Sequence, residues 1–448
     1  MRKTLLKSTI IAALGGFLFG FDTAVVSGTT EWLQKVFDLS SFGLGFTVAS
    51  ALIGTILGAI LVGKPADLLG RRHTLFVMAI IYFISAVGSA LAWDWYSFLF
   101  FRFLGGLGVG GSSVVSPMYI AEISPARYRG RLVAVTQLNI VLGILLAFFS
   151  NYLIAGIDLG MSEWRWMFGV EAFPAVLFFA LLFLTPFSPR WLVAKNRIDE
   201  ARTVLDLCGT DSGNTEDEIR EIKVSLDLEH HSFKESFFQK RYIKPIMLAV
   251  AIAMFNQLSG INALMYYAPH IFKMAGSGTA SALLQTVAVG GTNLILTMIA
   301  LAIIDHFGRK KLMLVGSVGY IVSLGTTAWA FYTYGTDFTE TGSLIVLISL
   351  LVFIASHAFG QGAVIWVFIS EIFPNRVRAR GQALGSFTHW IMAALISWTF
   401  PMIAEVSGGH TFAFYTICMI GQLFWVIFVM PETKGISLEQ IQKRLKIE

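Results

Sequence analysis

Residues 67–72 read Asp67-Leu68-Leu69-Gly70-Arg71-Arg72, and the pattern returns as Asp305-His306-Phe307-Gly308-Arg309-Lys310. Two more pairs recur in the same order. Glu122-Ile123-Ser124-Pro125 leads to Arg129-Gly130, and Glu371-Ile372-Phe373-Pro374 leads to Arg378, then Arg380-Gly381. Pro186-Phe187-Ser188-Pro189-Arg190 is echoed by Pro431-Glu432-Thr433-Lys434-Gly435. The offsets are 238, 249 and 245 residues, so the chain consists of two halves built on one plan.

Around these motifs the chain is too apolar for water. Of 448 residues, 55% are hydrophobic before the 42 glycines are counted, and only 14% are charged. Soluble domains average roughly 45–50% apolar with glycine included, and about 25% charged. The balance excludes a cytosolic enzyme and a disordered chain. With Cys208 and Cys418 alone, it also excludes a disulfide framework or a Cys-rich metal site.

A helix crossing a ~30 Å hydrocarbon core needs about 20 residues. Twelve such spans are predicted, at 9–28, 43–63, 74–93, 96–119, 132–154, 165–186, 244–268, 281–304, 312–334, 343–369, 382–404 and 412–430. The alternating ten-residue strands of a membrane barrel are absent. The fold class is therefore an all-α membrane protein of twelve transmembrane helices. One long polar stretch interrupts the series and reads as two or three short amphipathic helices, one opening on the capping-box pattern Thr215-Glu216-Asp217-Glu218. It separates a six-helix bundle at 1–186 from a second at 244–431, leaving 187–243 as linker and 432–448 as tail.

Charge sets the orientation. With the N-terminus inside, the short inner segments hold nineteen Lys and Arg, among them Lys64, Arg71, Arg129, Arg309 and Arg378. The outer segments hold only Lys35, Arg165 and Lys273. Both termini are thus expected in the cytoplasm. The net charge of +5 is a topology signal, with no nucleic-acid partner implied. The basic start is not read as a signal peptide, because its apolar run is span-length and lacks a small-x-small cleavage site. The absence of an Asn-x-Ser/Thr sequon favours a bacterial plasma membrane. His230 and His231 are neighbours on a polar helix, point to different faces, and read as solvated surface.

The paired motifs resemble those of the sugar porters in the major facilitator superfamily, specifically the branch of bacterial sugar–proton symporters related to glucose facilitators. The resemblance runs from Gly15 to Gly435 and implies two six-helix bundles, joined by short intracellular helices, that work by alternating access. Parallel six-plus-six repeats independently suit a carrier whose halves rock about a central site. One departure is visible: Phe187 stands where the family's Pro-Glu-Ser-Pro-Arg has its acid.

Three charges lie where lipid is expected: Asp22 in span 1, Arg102 in span 4 and Glu171 in span 6. A charge at a helix centre costs roughly 2.5–3.5 kcal/mol on insertion scales, so a static ion pair or a proton-handling group must justify them. The resemblance favours proton coupling, since proton-coupled relatives carry an acid at the Asp22 position and partners matching Arg102 and Glu171.

Neutral amides can both donate to and accept from sugar hydroxyls. The spans offer Gln137, Asn256, Gln257, Asn262 and Asn293, with Phe19, Tyr266, Tyr267 and Trp366 as aromatics. Any one amide could be interhelical glue. As a set they match the family's sugar-binding positions, Gln257-Leu258-Ser259-Gly260-Ile261-Asn262 being the span 7 motif. Asn256 stands for the usual second Gln, and His389 for an amide that relatives use to touch sugar. His389 reads equally as a packing histidine, and His357 as structural.

Gly106-Leu107-Gly108-Val109-Gly110-Gly111 matches a dinucleotide fingerprint but lies inside an apolar span, with no strand before it. Gly16…Gly20, Gly54…Gly58 and Gly106…Gly110 read instead as helix-packing surfaces. No Walker A or zinc-protease motif occurs, so neither nucleotide, cofactor, metal nor enzymatic activity is expected. Asp67, Arg71, Arg72, Glu122, Arg129 and Arg190 in one half, and Arg309, Glu371, Arg378 and Glu432 in the other, are expected to form the family's cytoplasmic gate. Losing the acid at Phe187 is expected to weaken the first network.

The resulting expectation is a monomeric proton-coupled symporter for a hexose or pentose. A passive facilitator is the alternative, opposed by Asp22. A non-transporting sugar sensor is less favoured, because the residues after Pro431 are too few for a signalling domain.

Overall fold

The structure is a computed structural model describing residues 2–210, 214–232, 236–303, 306–374, 376–436, 438–445 and 447. Asp305 lies outside the described residues, as do the side chains of His230 and His231. No strand occurs among the described residues. Among the described residues, twelve helices have the length and apolarity of membrane spans. The first six are Lys3–Gly28, Ser41–Leu61, Arg71–Leu91, Trp95–Ile123, Ala126–Ala155 and Gly160–Leu182. The others are Lys240–Met274, Thr279–Ile303, Arg309–Tyr334, Glu340–Ile372, Arg378–Val406 and Gly408–Phe428. Several run beyond the predicted limits, because hydropathy reports only the apolar length while helical hydrogen bonding continues into polar sequence.

Backbone contacts gather the chain into two compact units. One comprises Met1–Val25, Ser50–Ser150 and Leu159–Lys234; the other comprises Val26–Ala49, Asn151–Asp158 and Glu235–Glu448. In the first unit the linker supplies helices at Pro189–Ala194, Ile198–Cys208 and Thr215–Ser232. Their apolar faces, through Trp191, Leu192, Val204, Leu205 and Ile219, join one core with Leu5, Ile120 and Ile123. The third helix departs from the expected capping box. Thr215 donates its hydroxyl to Asp206, and Asn214 Oδ1 takes the Glu216 amide at 3.1 Å, so the cap sits one residue earlier.

Small residues close the first unit. A Cβ on Gly54 would enter the Phe103 carbonyl, one on Gly106 the Ala51 carbonyl, and one on Gly110 the Thr55 carbonyl. Spans 2 and 4 are therefore in backbone contact over two turns, which is what the Gly-x-x-x-Gly spacing provides. Gly20 and Gly143 bring spans 1 and 5 together in the same way.

The second unit contains two broken spans. Span 7 divides into Ile243–Leu258 and Ile261–Met274 at Gly260, whose φ of +84° is left-handed. A Cβ there would meet the Tyr415 ring at 2.7 Å, so both backbone and space require glycine. Span 10 divides into Glu340–Phe359 and Gln361–Ile372 around Gly360. Within this unit, Lys273 pairs with Glu31 at 2.6 Å, Ser41 bonds Glu405, and the Trp398 ring lies between Phe42 and Phe46.

The span 2–span 4 contact predicts the effect of a single methyl. Gly106→Ala should lower the detergent-phase melting temperature by several degrees, since overpacking costs about 1–3 kcal/mol and rigid backbone faces it. Gly130→Ala, with nothing within 4 Å of its Cβ, should leave melting unchanged or raise it.

Candidate functional site

The three charges predicted inside the membrane meet in the first unit. Arg102 Nη1 reaches Asp22 Oδ1 at 2.6 Å, while Nη2 reaches Asp22 Oδ2 at 3.3 Å and the Asp22 carbonyl at 3.1 Å. Asp22 is 1% exposed and Arg102 2%. The guanidinium also lies 5.1 Å from the Phe168 ring centre. Gly105 leaves room for the carboxylate: a Cβ there would come within 3.2 Å of Asp22 Oδ1. Glu171 lies in the electrostatic field of both groups. Its carboxyl is buried and takes no hydrogen bond from a donor group among the described residues, while the Asp22 carboxyl lies within hydrogen-bonding reach of it. The arrangement is thus one ion pair with a second acid set against its carboxylate.

Two polar networks repeat the same chemistry, one per unit. In the first, Arg71 bonds Glu122 Oε1 through Nη2 at 2.9 Å and Nε at 3.0 Å, and Asp67 at 2.8 Å. Ser188 donates to the other Glu122 oxygen. In the second, Arg309 holds Glu371 at 2.8 and 3.2 Å, and Thr433 donates to Glu371 at 2.6 Å. Ser188 and Thr433 occupy matching places in the repeat and were not singled out from sequence, since a hydroxyl in a polar loop carries no signal alone. The remaining arginines make other contacts, and Arg190 also lies in the electrostatic field of Glu122. Arg129 caps the Ala121 and Ser124 carbonyls, Arg190 bonds Ser225, and Arg378 has no ion pair among the described residues.

The halves differ at position 187. Glu432 accepts from the backbone N–H groups of Arg309 and Lys310 at 2.9 and 3.1 Å, at the start of span 9. Span 3 has no side-chain cap at its start. Phe187 instead stacks on Trp191, with the Arg72 and Arg197 guanidiniums 5.0 and 5.3 Å from its ring centre. Arg72 donates to the Leu182 and Phe183 carbonyls. The Arg71–Glu122–Ser188 contacts do not involve residue 187, so the missing acid removes a helix cap and leaves those contacts in place.

The amide set divides. In the second unit, Asn262 donates to Gln257 Oε1 at 3.0 Å, and Gln257 Nε2 donates to Asn256 Oδ1 at 2.9 Å. Gln257 is 0% exposed, so the amide expected to face a sugar is a buried hub flanking the span 7 break. His389 and the 39%-exposed Trp366 lie beside it, ring centres 5.2 Å apart. Asn293 stands apart on span 8 and bonds Thr297 at 3.4 Å. In the first unit, Gln137 is exposed on span 5 and Phe19 packs on the core. A second amide chain went unforeseen: Gln361 donates to Gln422 at 2.7 Å, and Gln422 to Ser317 at 2.8 Å. Polar residues in apolar spans were its available signal. His357 bonds Tyr320 at 2.6 Å, the packing role expected of it.

A family model described as "Sugar (and other) transporter" matches residues 8–445. The chain is 40% identical to the D-xylose-proton symporter of Escherichia coli (strain K12), over 97% of this chain and 94% of that protein. It is 36% identical to the glucose transport protein of a Synechocystis species, over 98% and 97% of the two chains. The arabinose-proton symporter of Bacillus subtilis is 35% identical over 96% and 93%. The fold is similar to the partially occluded inward open conformation of the xylose transporter XylE from E. coli, with a TM-score of 0.85 and 37% identity, covering 97% and 99% of the chains. With a family match along nearly its whole length and a twelve-helix fold to accompany it, the chain belongs to the sugar transporter family of the major facilitator superfamily.

Proposed function

We propose that this chain is a proton-coupled monosaccharide symporter, carrying a hexose or pentose by alternating access. The observation that carries this reading is the bidentate Asp22–Arg102 pair, sealed from solvent with the buried carboxyl of Glu171 against it. A static lock needs only the pair. A second buried acid beside that pair, reached by no donor group, is costly as an anion, so its place is explained by holding a proton that it shares with Asp22. The names of the relatives, which include D-xylose-proton and arabinose-proton symporters, support the same reading.

In this scheme Asp22 stays ionised while Arg102 holds it. A proton passed between Glu171 and Asp22 neutralises the carboxylate, loosens Arg102 and frees spans 1 and 4 to move. Asn256, Gln257, Asn262, Asn293, Trp366 and His389 bind sugar from the second unit, and Phe19 and Gln137 from the first. The broken spans 7 and 10 supply the local flexibility. Both termini and both Arg–Glu networks face the cytoplasm of a cell whose plasma membrane the chain spans as a monomer, with 1–186 and 244–431 as the moving bundles, 187–243 as linker and 432–448 as tail.

Asp22→Asn tests the scheme in reconstituted vesicles. Net sugar accumulation should vanish while sugar exchange persists; surviving accumulation would remove Asp22 from coupling. Glu171→Gln mimics a permanently protonated acid. It should retain exchange and flatten the pH dependence of uptake, and an unaltered pH profile would show that Glu171 carries no proton.

A further prediction concerns the cytoplasmic networks. Phe187→Glu places an acid near the uncapped start of span 3. Such a charge stabilises a helix by about 0.3–1 kcal/mol. Exchange should slow by about two- to fivefold with sugar affinity unchanged, as a firmer gate opens less often. An unchanged rate would show that residue 187 takes no part in gating.

A further inference from the structure

Span 9 holds the two sides of the break in span 10 in different ways. Before the break, the Tyr320 hydroxyl of span 9 bonds His357 Nδ1 directly, at 2.6 Å. At the break the two spans touch through backbone. A Cβ on Gly316 would meet the Gly360 Cα at 2.9 Å, and one on Gly360 would meet the Gly316 Cα at 3.0 Å. After the break the connection is indirect. Gln361, first residue of the second half, donates through Nε2 to Gln422 Oε1 on span 12 at 2.7 Å. Gln422 Nε2 donates onward to Ser317 Oγ at 2.8 Å, and Ser317 donates to the Met313 carbonyl of its own helix. Gln361, Gln422 and Ser317 are all 0% exposed.

Amides are costly in an apolar bundle, so two of them buried in series need a reason. Holding spans 9 and 10 together is not that reason, because the glycine contact already does it. Nor is the series built for strength. Gln361 Oε1 has no partner among the described residues, so this amide is fastened by its nitrogen alone. A neutral amide bond has a small net worth, and one at the end of an unfinished series gains little from its neighbours. Opening the Gln361–Gln422 bond leaves the Tyr320–His357 bond and the Gly316–Gly360 contact intact. The break thus has a fixed side, a pivot, and a side held through one weak bond.

Resting on the transport reading above, we infer that Gln361 and Gln422 are positioning residues for alternating access: their bond fastens the second half of span 10, which turns about the Gly316–Gly360 contact when the bond opens. Ser317 fixes where Gln422 stands, and so fixes the place to which Gln361 returns. Ser317 and Tyr320 are three residues apart on one helix face, so the same face of span 9 references both halves of span 10.

The test compares two replacements at one position of the full-length protein. Gln422→Met keeps the length of the side chain and removes both bonds. Gln422→Glu keeps the bond from Gln361, since a carboxyl oxygen accepts it in either protonation state. In reconstituted vesicles supplied with D-glucose or D-xylose, Gln422→Met should exchange sugar about two- to fivefold faster than the wild type, the rate equivalent of one neutral bond. Its half-saturation should stay the same, and Gln422→Glu should be no faster than the wild type. General damage to the fold slows a carrier, so a gain in rate separates release from damage. Tyr320→Phe, which cuts the bond on the fixed side, should give no such gain. Deuterium uptake by backbone amides is a second readout, independent of transport. Amides at 361–364 should take up deuterium faster in Gln422→Met than in the wild type or Gln422→Glu, with those at 352–357 unchanged. Gln361→Met carries both measurements should Gln422→Met not fold. A sugar exchange rate unchanged or lowered in Gln422→Met, or raised equally in Gln422→Glu, overturns the inference. If the wild type carries neither sugar, the transport reading fails and the role in alternating access fails with it, while deuterium uptake still decides whether the bond fastens span 10.

Discussion

An aspartate in the middle of a membrane-length helix must be compensated, and the compensation of Asp22 organises the first unit. Arg102 supplies two nitrogens to its two oxygens. Removing either partner of such a pair leaves a buried charge, at a cost of about 3–5 kcal/mol. The pair is possible only because spans 1 and 4 approach closely, and Gly105 is the residue that admits the carboxylate. Span 4 is in turn fixed against span 2 by interlocked glycines. Packing and charge therefore act on one helix, and neutralising Asp22 would relax a contact on which its position depends.

The two units share a plan and have diverged in detail. Each holds an Arg–Glu pair whose acid also takes a hydroxyl, from Ser188 in one and Thr433 in the other. One places an acid on a helix start, and the other replaces it with a ring between two guanidiniums. The first unit concentrates ionisable groups in its spans; the second concentrates amides around two helix breaks. This division suits a carrier that handles a proton and a neutral polar cargo with separate sets of side chains, since a carboxylate and a hydroxyl cluster need opposite environments.

The sequence made the span number, the repeat and the buried charges legible, because each depends on composition over many residues or on a cost too large to ignore. The glycine spacing at 54–58 and 106–110 announced close helix packing for the same reason. Features set by one torsion or by a neighbour distant in sequence were not legible. Gly260 was part of a quoted motif, yet its left-handed φ follows from packing on Tyr415. Gln257 is legible as an intramembrane amide, whereas its bonds to Asn256 and Asn262 depend on the break in span 7 that brings the three together. Glu171 was recognisable as an intramembrane acid, whereas its placement against the Asp22 carboxyl, with no donor group in reach, required the positions of its neighbours.

The central claim is that sugar and proton move together. Purified protein in lightly buffered vesicles, with no ion gradient, gives the direct measurement. Adding a substrate sugar outside should make the external medium more alkaline as protons enter with it, and a protonophore should abolish the signal. Sugar entry with no change in external pH would contradict the account and make the chain a passive carrier, with the Asp22–Arg102 pair serving only to hold two helices together.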